Sequence, residues 1–288
     1  MKPVPLWLRA CSRLPFGLLY ALATALCFLL RYVLRYRVRV ARANLRGCFP
    51  ELPPERIEAI LNSYYRSLGQ IVAECIKLAT MSSDELRRRV QLPNLELLAR
   101  ELAAGRSVIL LAAHLGNWEW QLQGTTVRSD VPIDAAYKPL HSAGADELLL
   151  RVRSRLGARM VPAKKLVRVV ARARGQLHIV ALMADQIPAS SAGRHWVSFF
   201  GRPTAFYPGP AEIARMTGYV AMFAGMQRTS RGHYEISFEP LARAGEVLAP
   251  EAFTARYAQL LEAEIRRDPA NWIWTHRRWK LAPPQAQS

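Results

Sequence analysis

Acidic residues are scarce in this chain: 22 Asp plus Glu stand against 40 Lys plus Arg in 288 residues, a formal net charge of +18. That excludes an acidic solvating chain, and the 51% hydrophobic content excludes global disorder. Cysteines are few. Cys11, Cys27, Cys48 and Cys75 lie within the first 75 residues, with no CxxC spacing and no histidine cluster beside them. A disulfide scaffold and a zinc finger are thereby excluded, and these thiols read as small hydrophobes. No Pro/Gly/Ser-rich linker, internal repeat or low-complexity tract divides the chain, which predicts one large domain plus an attachment. G-x-S-x-G, P-loop, G-x-G-x-x-G, HExxH and HxE…PCxxC motifs are all missing. Serine hydrolysis, NTP hydrolysis, dinucleotide binding and familiar zinc chemistry lack their usual signatures.

What is present begins with an uncharged run, Leu14 to Leu30, flanked by Arg13 and Arg31. As a helix it is about 26 Å long, at the short end of the bilayer-spanning range. Crossing the bilayer and lying in its interface are both open. The chain runs on into RYVLRYRVRVAR without a small-residue cleavage site, which argues against a signal peptide. Arg31, Arg35, Arg39, Arg42 and Arg46 recur at helical steps beside Leu34, Val38, Ala41 and Leu45. This predicts a basic amphipathic helix on anionic membrane lipids, with residues 1–46 as anchor and 47–288 as the main domain. The denser positive charge after the run places the bulk of the chain in the cytoplasm.

Beyond the anchor, Pro53–Pro54 open a helical pattern through Ile57, Leu61, Tyr64, Leu68, Ile71 and Cys75. Ser82 with Glu85 marks a second helix start, and a third helix, Asn94 to Ala104, stops at Gly105. Continuous or alternating apolar runs then predict strands at Ser107–Ala113, Val131–Tyr137, Arg159–Val161, Leu177–Ala184, Tyr219–Met226 and His233–Glu239, with helices at Ala145–Leu156 and Ala163–Arg174. The fold class is α/β: a mainly parallel or mixed sheet flanked by helices.

The strand at Ser107 runs into HLGNWE, placing His114 where ligands collect in open α/β sheets. Asn117 is a good N-cap for the helix that follows, with Glu119 in its first turn. On one continuous helix His114 and Glu119 would lie about 140° apart, so they meet only through a turn at Gly116. A histidine held by a carboxylate is a general base, and with no protein nucleophile in sight it would activate a substrate hydroxyl. Asp185 ends the Leu177 strand as His114 ends its own, so both could border one crevice; a simple turn cap is its other reading. His141, His178, His195 and His233 read as structural or exposed.

HLGNWE at 114–119 resembles the His-x4-(Asp/Glu) block of the lysophospholipid acyltransferase superfamily, specifically its lipid A late-acyltransferase branch of lauroyl and myristoyl transferases. NLRGCFPEL at 44–52, the Arg66 to Glu74 stretch, YKP at 137–139, ADQ at 184–186, FFGRPTAF at 199–206 and WIWTHRRWK at 272–280 agree in order. Two departures stand out: Lys138 replaces a frequent Arg, and no glycine pair follows Asp185–Gln186.

The resemblance implies transfer of a fatty acyl chain from acyl carrier protein to a hydroxyl of a lipid A precursor (Kdo-lipid IVA type), on the cytoplasmic face of a bacterial inner membrane, with neither metal nor organic cofactor. Nine basic and no acidic residues between Arg151 and Arg174 suit an acidic carrier or a phosphorylated glycolipid, or form merely solvated helix faces. No nucleic-acid-binding motif accompanies them. In this reading His114 is the base and Glu119 orients it. Backbone N–H groups at Gly116–Asn117 or an arginine steady the oxyanion, Arg153 being favoured by an R-x3-G pattern over Arg151, Arg155 and Arg159. Asp185, Lys138 and Asn117 contact substrate, and Arg277, Arg278 and Lys280, among tryptophans, form a phosphate-binding or interfacial surface or pack partly into the core. An ornithine-lipid or phosphatidylinositol-mannoside acceptor, and a membrane-bound thioesterase, are the alternatives.

Overall fold

A computed structural model describes residues 3–188, 193–242, 245–246 and 248–283. The N-terminal segment is three helices, α1 (Leu6–Arg13), α2 (Phe16–Phe28) and α3 (Val38–Cys48), with a π-helical turn at Leu29–Val33 between the last two. Pro5 and Pro15 each precede a helix start, where the missing N–H costs nothing. α4 (Pro54–Leu78) follows, and α2 lies along it. Tyr20 donates to Glu74, Tyr32 to Asn62 and Arg31 to Glu58, so the two helices run antiparallel. They cross closely at Gly69, where an added Cβ would sit 2.6 Å from Cys27 Sγ and 2.8 Å from the Ala23 carbonyl oxygen.

The expected arginine stripe is not one helical face. Arg35 and Arg37 take left-handed backbone, φ 49° and 51°, and break the helix before α3. This turn is held from outside, by Tyr65 donating to the Tyr36 carbonyl and Arg37 donating to that of Thr275. The break rotates α3 so that Val38, Ala41 and Leu45 enter the main hydrophobic core, leaving Arg39 and Arg46 in solvent while Arg42 pairs with Glu58. That apolar stripe is buried in protein, in the same core as the residues that follow it.

The remainder alternates α5 (Ser83–Arg89), β1 (Val90–Gln91), α6 (Leu95–Ala103), β2 (Val108–Ala112), α7 (Trp118–Thr126), β3 (Ile133–Tyr137), α8 (Ala143–Arg153), β4 (Arg159–Pro162), α9 (Leu166–Arg172) and β5 (Ile179–Met183). A hairpin, β6 (His195–Phe199) and β7 (Arg202–Phe206), then α10 (Gly209–Thr217), β8 (Val220–Ser230), β9 (His233–Ala242) and α11 (Pro250–Arg267) complete it. The main sheet has the order β1-β9-β8-β2-β5-β3-β4. β8, β2, β5, β3 and β4 are mutually parallel, while β9 returns antiparallel to β8, so the sheet is mixed. β2 is central and almost wholly buried, as its uninterrupted apolar run requires. The predicted caps form: Ser82 accepts from the Glu85 N–H, Asn117 from the Trp120 N–H, and Gly105 sits at φ 72° beyond α6.

Candidate active site

Because β2 and β5 are neighbours in register, with Ala112 opposite Met183, their C-terminal extensions deliver His114 and Asp185 side by side. His114 Nδ1 lies 2.8 Å from Asp185 Oδ1, and the His114 backbone N–H donates to Oδ2 at 3.1 Å. Trp272 Nε1 also donates to Oδ2, at 3.0 Å. That indole is brought in by a bridge between Leu115 and Trp272 and by the Gly116 N–H donating to the Asn271 carbonyl at 2.7 Å. Gly116, at φ 49°, supplies the expected turn.

Burial alone would raise the Asp185 carboxyl, but the His114 charge and hydrogen bond, with the Trp272 and backbone donors, hold it down at about 2. It is an anion, and an anion facing Nδ1 fixes the proton there and leaves Nε2 with its lone pair. Burial depresses His114, yet the Asp185 carboxylate outweighs it, with help from the Glu119 charge, and raises the imidazole above its ordinary value. Gln186 Nε2 stands 3.3 Å from His114 Nε2, and the Trp118 ring crosses the imidazole edge-on at 5.1 Å between centroids.

The pairing expected between His114 and Glu119 is thus replaced. Asp185 holds the ring, and Glu119, buried in the first turn of α7, is held by Arg153 through the Nε–Nη2 edge of its guanidinium, Nε donating at 2.8 Å. Trp118 Nε1 donates to the same carboxylate at 3.2 Å. The Gly116 turn sends the imidazole toward β5 while α7 sends Glu119 toward the C-terminus of α8. The two acids touch different cations: Asp185 the histidine, Glu119 the arginine.

The other arginines sort themselves. Arg159 forms a fork with Asp134, both bonds 2.8 Å, in its register position beside β3. Arg155 donates to the carbonyls of Leu78 and Met81, and Arg151 to Pro3 and Glu147. Of the four candidates Arg153 alone lies against Glu119. Asn117 is fully buried, capping α7 and donating to Glu74 at 2.9 Å, so it positions the loop from below. Lys138 is exposed just beyond β3. The C-terminal stretch is not an open cationic surface: Trp272, Trp274 and Arg278 are buried, and only Arg277 and Lys280 face solvent. Arg278 stacks 4.2 Å over Phe206, its three guanidinium nitrogens without a hydrogen bond among the described residues, and burial lowers it to about 10. Tryptophan burial there competes with solvation of the cations and wins. His276 accepts the Ile187 N–H on Nε2 at 3.0 Å, which fixes the chain just after Gln186.

Glu74 is the residue that sequence reasoning missed. Fully buried in α4, it accepts from Tyr20 at 3.1 Å, Asn117 at 2.9 Å and Tyr234 at 2.7 Å, and its carbonyl accepts from Trp120 at 3.1 Å. It ties the apolar helix α2, the α7 cap and β9 together. Its signal was an acidic residue in the Ile71–Glu74–Leu78 stripe of an otherwise apolar helix face. His114 and Trp118 open on a cavity of about 10 Å³, walled by Leu68 and Ile71 of α4 and by Asn271 to Ile273. That admits roughly one water-sized group, enough for a reacting carbonyl but not for a fatty tail.

The family model of the bacterial lipid A biosynthesis acyltransferases matches residues 5–281. The chain belongs to that family. This acyltransferase is 26% identical over 281 residues to the lipid A biosynthesis palmitoleoyltransferase of Escherichia coli K12, covering 96% of this chain and 89% of the relative. It is 24% identical to the lipid A biosynthesis lauroyltransferase of the same organism, covering 96% and 90%. A phosphatidylinositol mannoside acyltransferase of Mycobacterium tuberculosis (strain CDC 1551 / Oshkosh) is 27% identical over 270 residues, covering 86% and 79%. Among the described residues no group of three or more His, Cys, Asp or Glu could hold a metal ion.

Proposed function

We propose that this acyltransferase moves a fatty acyl chain from acyl carrier protein to a hydroxyl of a lipid A precursor, with His114 as general base. The observation that carries it is the imidazole fixed at Nδ1 by Asp185, in a histidine that lines the cavity. Nε2 takes the proton of the acceptor hydroxyl as its oxygen attacks the thioester carbonyl. The tetrahedral adduct collapses, the C–S bond breaks, and the departing sulfur takes the proton back from the imidazolium. Ester and carrier thiol are the products. Such base help is worth about 10²- to 10⁴-fold. The Gly116 N–H is already committed to Asn271, so the oxyanion falls to the Asn117 N–H, to Gln186 Nε2 or to the Nη1 side of Arg153, to which no partner is bound among the described residues. The acyl tail stays outside the cavity, which is too small to hold it.

The helical stretch Phe16–Val33 is long and apolar enough to cross a membrane. It is nevertheless packed antiparallel on α4, which carries Glu58, Arg66, Glu74 and Lys77 along its length. Crossing would drag those charges into hydrocarbon, at several kcal/mol each on the order of the insertion scales. The reading that avoids this is in-plane insertion, with Leu18, Leu22, Leu26, Phe28 and Val33, all exposed, dipping into one leaflet on the cytoplasmic side of the inner membrane.

Radiolabelled acyl carrier protein and acceptor glycolipid, incubated with wild type and His114→Ala, test the chemistry; full transfer by the variant removes the base. Mass spectrometry of lipid A from cells lacking and re-expressing the protein tests the acceptor. The similarity to phosphatidylinositol mannoside acyltransferases supports a mannosylated phospholipid as the second acceptor reading, and unchanged lipid A in those cells would favour it.

A further inference from the structure

A second concavity lies across α8 from His114. Arg153 faces Glu119, and Arg151, two residues earlier and therefore about 200° round the helix, leaves on the opposite side. There α1 and the residues before it lie over the ends of α4 and α8, pinned by Ser12 against Thr80 at 2.8 Å and by Arg151 donating to the Pro3 carbonyl at 3.0 Å. Between them is a cleft of about 500 Å³ whose lining includes Arg9, Arg13, Arg151 and Arg155, and no acidic residue. Of the four guanidiniums only Arg151 has an acidic partner, Glu147 at 2.6 Å, among the described residues. Arg155 is fixed by two backbone carbonyls, which orient it without neutralising it. Arg151 Nε is buried and has no hydrogen-bond partner among the described residues.

Four cations around one void repel each other, and a bound anion relieves this. The outer side of α1 says where the anion comes from. Leu6 is 80% exposed and Trp7 60%, and α2 likewise exposes Leu18, Leu22 and Leu26. Trp7 leaves α1 about 160° round from Arg9, while Leu6 lies on the arginine side, within about 60° of Arg9 and about 20° of Arg13. α1 therefore rests at a bilayer interface with its exposed apolar side chains in the leaflet and the flanking cations at headgroup depth.

We propose that this cleft binds the phosphate of an anionic lipid, a phosphomonoester or phosphodiester headgroup reaching in from the leaflet on which α1 and α2 rest. Arg9 and Arg13 close on the phosphate from α1, and Arg151 and Arg155 hold it from the globular side. The occupied cleft locks α1 onto α8, whose last turn carries Arg153. The site does not depend on which acyl donor or acceptor the enzyme uses.

Calorimetric titration of the full-length protein in non-ionic detergent tests this. Dihexanoyl phosphatidic acid, dihexanoyl phosphatidylglycerol and dihexanoyl phosphatidylcholine, each below its micellar concentration, and inorganic phosphate are the probes. Saturable one-to-one binding of the two anionic lipids is expected, with phosphatidylcholine and inorganic phosphate at least about tenfold weaker. Arg9→Gln/Arg13→Gln weakens the anionic lipids by at least about tenfold, since two charge-assisted hydrogen bonds to the phosphate are lost. Arg35→Gln/Arg39→Gln, which removes the same charge away from the cleft, changes them less than about twofold. If the double variant at α1 has a lowered melting temperature, the single Arg13→Glu, at an exposed position, replaces it and carries the same expectation. Equal weakening by both pairs means diffuse attraction and overturns the site. So does the lack of saturable binding in the wild type, while inorganic phosphate binding as tightly as the lipids overturns the lipid assignment.

Discussion

Replacing Asp185 by Asn separates orientation from charge. The side chain keeps its shape, and its remaining oxygen can still accept from Trp272 Nε1 and the His114 N–H, the two donors now on Oδ2. What is lost is the anion 2.8 Å from Nδ1. An amide NH2 there donates rather than accepts, so Nδ1 becomes the acceptor and the ring proton moves to Nε2, the atom that must be bare. The imidazolium also loses its counter-charge. Together these remove most of the general-base contribution, and kcat falls by about 10²- to 10⁴-fold with KM nearly unchanged.

The pH dependence gives a second reading of the same change. Activity requires unprotonated Nε2, so in the wild type it rises with pH through an apparent pKa above the ordinary imidazole value of 6.5, because Asp185 raises His114. For stability the signs run oppositely in the pair. The raised His114 contributes below its unfolded pKa, and that contribution fades as pH climbs through the folded one. The Asp185 carboxyl, held at about 2 against 3.8, contributes above 3.8 and is lost as pH falls toward 2. Asp185→Asn therefore moves the acid limb of residual activity to lower pH and flattens acid unfolding between 4 and 2. Steady-state transfer of radiolabelled acyl chains across pH 5 to 9, with urea titrations from pH 2 to 5, reads both. The reasoning fails if Asp185→Asn keeps more than half of wild-type kcat, or if Glu119→Gln shifts the acid limb further than Asp185→Asn does.

Glu119→Gln strands a largely buried guanidinium, so urea unfolding should show a loss approaching the 3–5 kcal/mol of a broken buried pair, discounted for the partial exposure of Arg153; the double variant with Arg153→Met should recover part of it. Gly69→Val pushes α2 off α4, because its Cβ would overlap Cys27 Sγ and the Ala23 carbonyl, and thermal melts should show a loss of about 1–3 kcal/mol with faster proteolysis of residues 6–33. Glu74→Ala leaves Tyr20, Asn117 and Tyr234 without their shared acceptor, and each stranded buried donor costs about 1–3 kcal/mol, so the variant should be recovered mainly unfolded on expression. Leu22→Glu/Leu26→Glu places charge on the exposed face of α2; the protein should move from the membrane pellet to the supernatant with an unchanged melting temperature.

Local signals in the sequence translated directly into structure. The caps at Ser82 and Asn117, the stop at Gly105 and the buried run of β2 depend only on neighbours within a few residues, and each stands where its spacing puts it. α1, α10 and the β6–β7 hairpin carry short patterns and were not legible as elements, whereas α11 carries a regular stripe, Phe253, Tyr257, Leu261 and Ile265, that sequence reasoning left unread. The break at Arg35 and Arg37 was hidden for a different reason. Neither glycine nor proline marks it, and two arginines hold left-handed backbone, at about 1–2 kcal/mol each, because Tyr65 and Thr275 from distant segments fix the turn.

The same distinction explains the active-site pair. His114 was legible because a histidine ending a buried strand is a local fact. Its partner depends on strand order, which no local pattern encodes. Had β3 followed β2 in the sheet, Tyr137 and Lys138 would stand beside the imidazole; the insertion of β5 between them brings Asp185 there instead. Once Asp185 occupies Nδ1, a second carboxylate at that nitrogen would add like charge without a donor to satisfy, so Glu119 is stable only by turning to a cation of its own. The Glu119–Arg153 fork follows from the His114–Asp185 pair, and the two fix complementary things: one the proton on the base, the other the placement of positive charge beside it. A site arranged in this way predicts that exchanging the acids, Asp185→Glu with Glu119→Asp, rescues neither activity nor stability. Each carboxylate is matched to its cation by reach, 2.8 Å in both pairs, and one added or removed methylene breaks both fits.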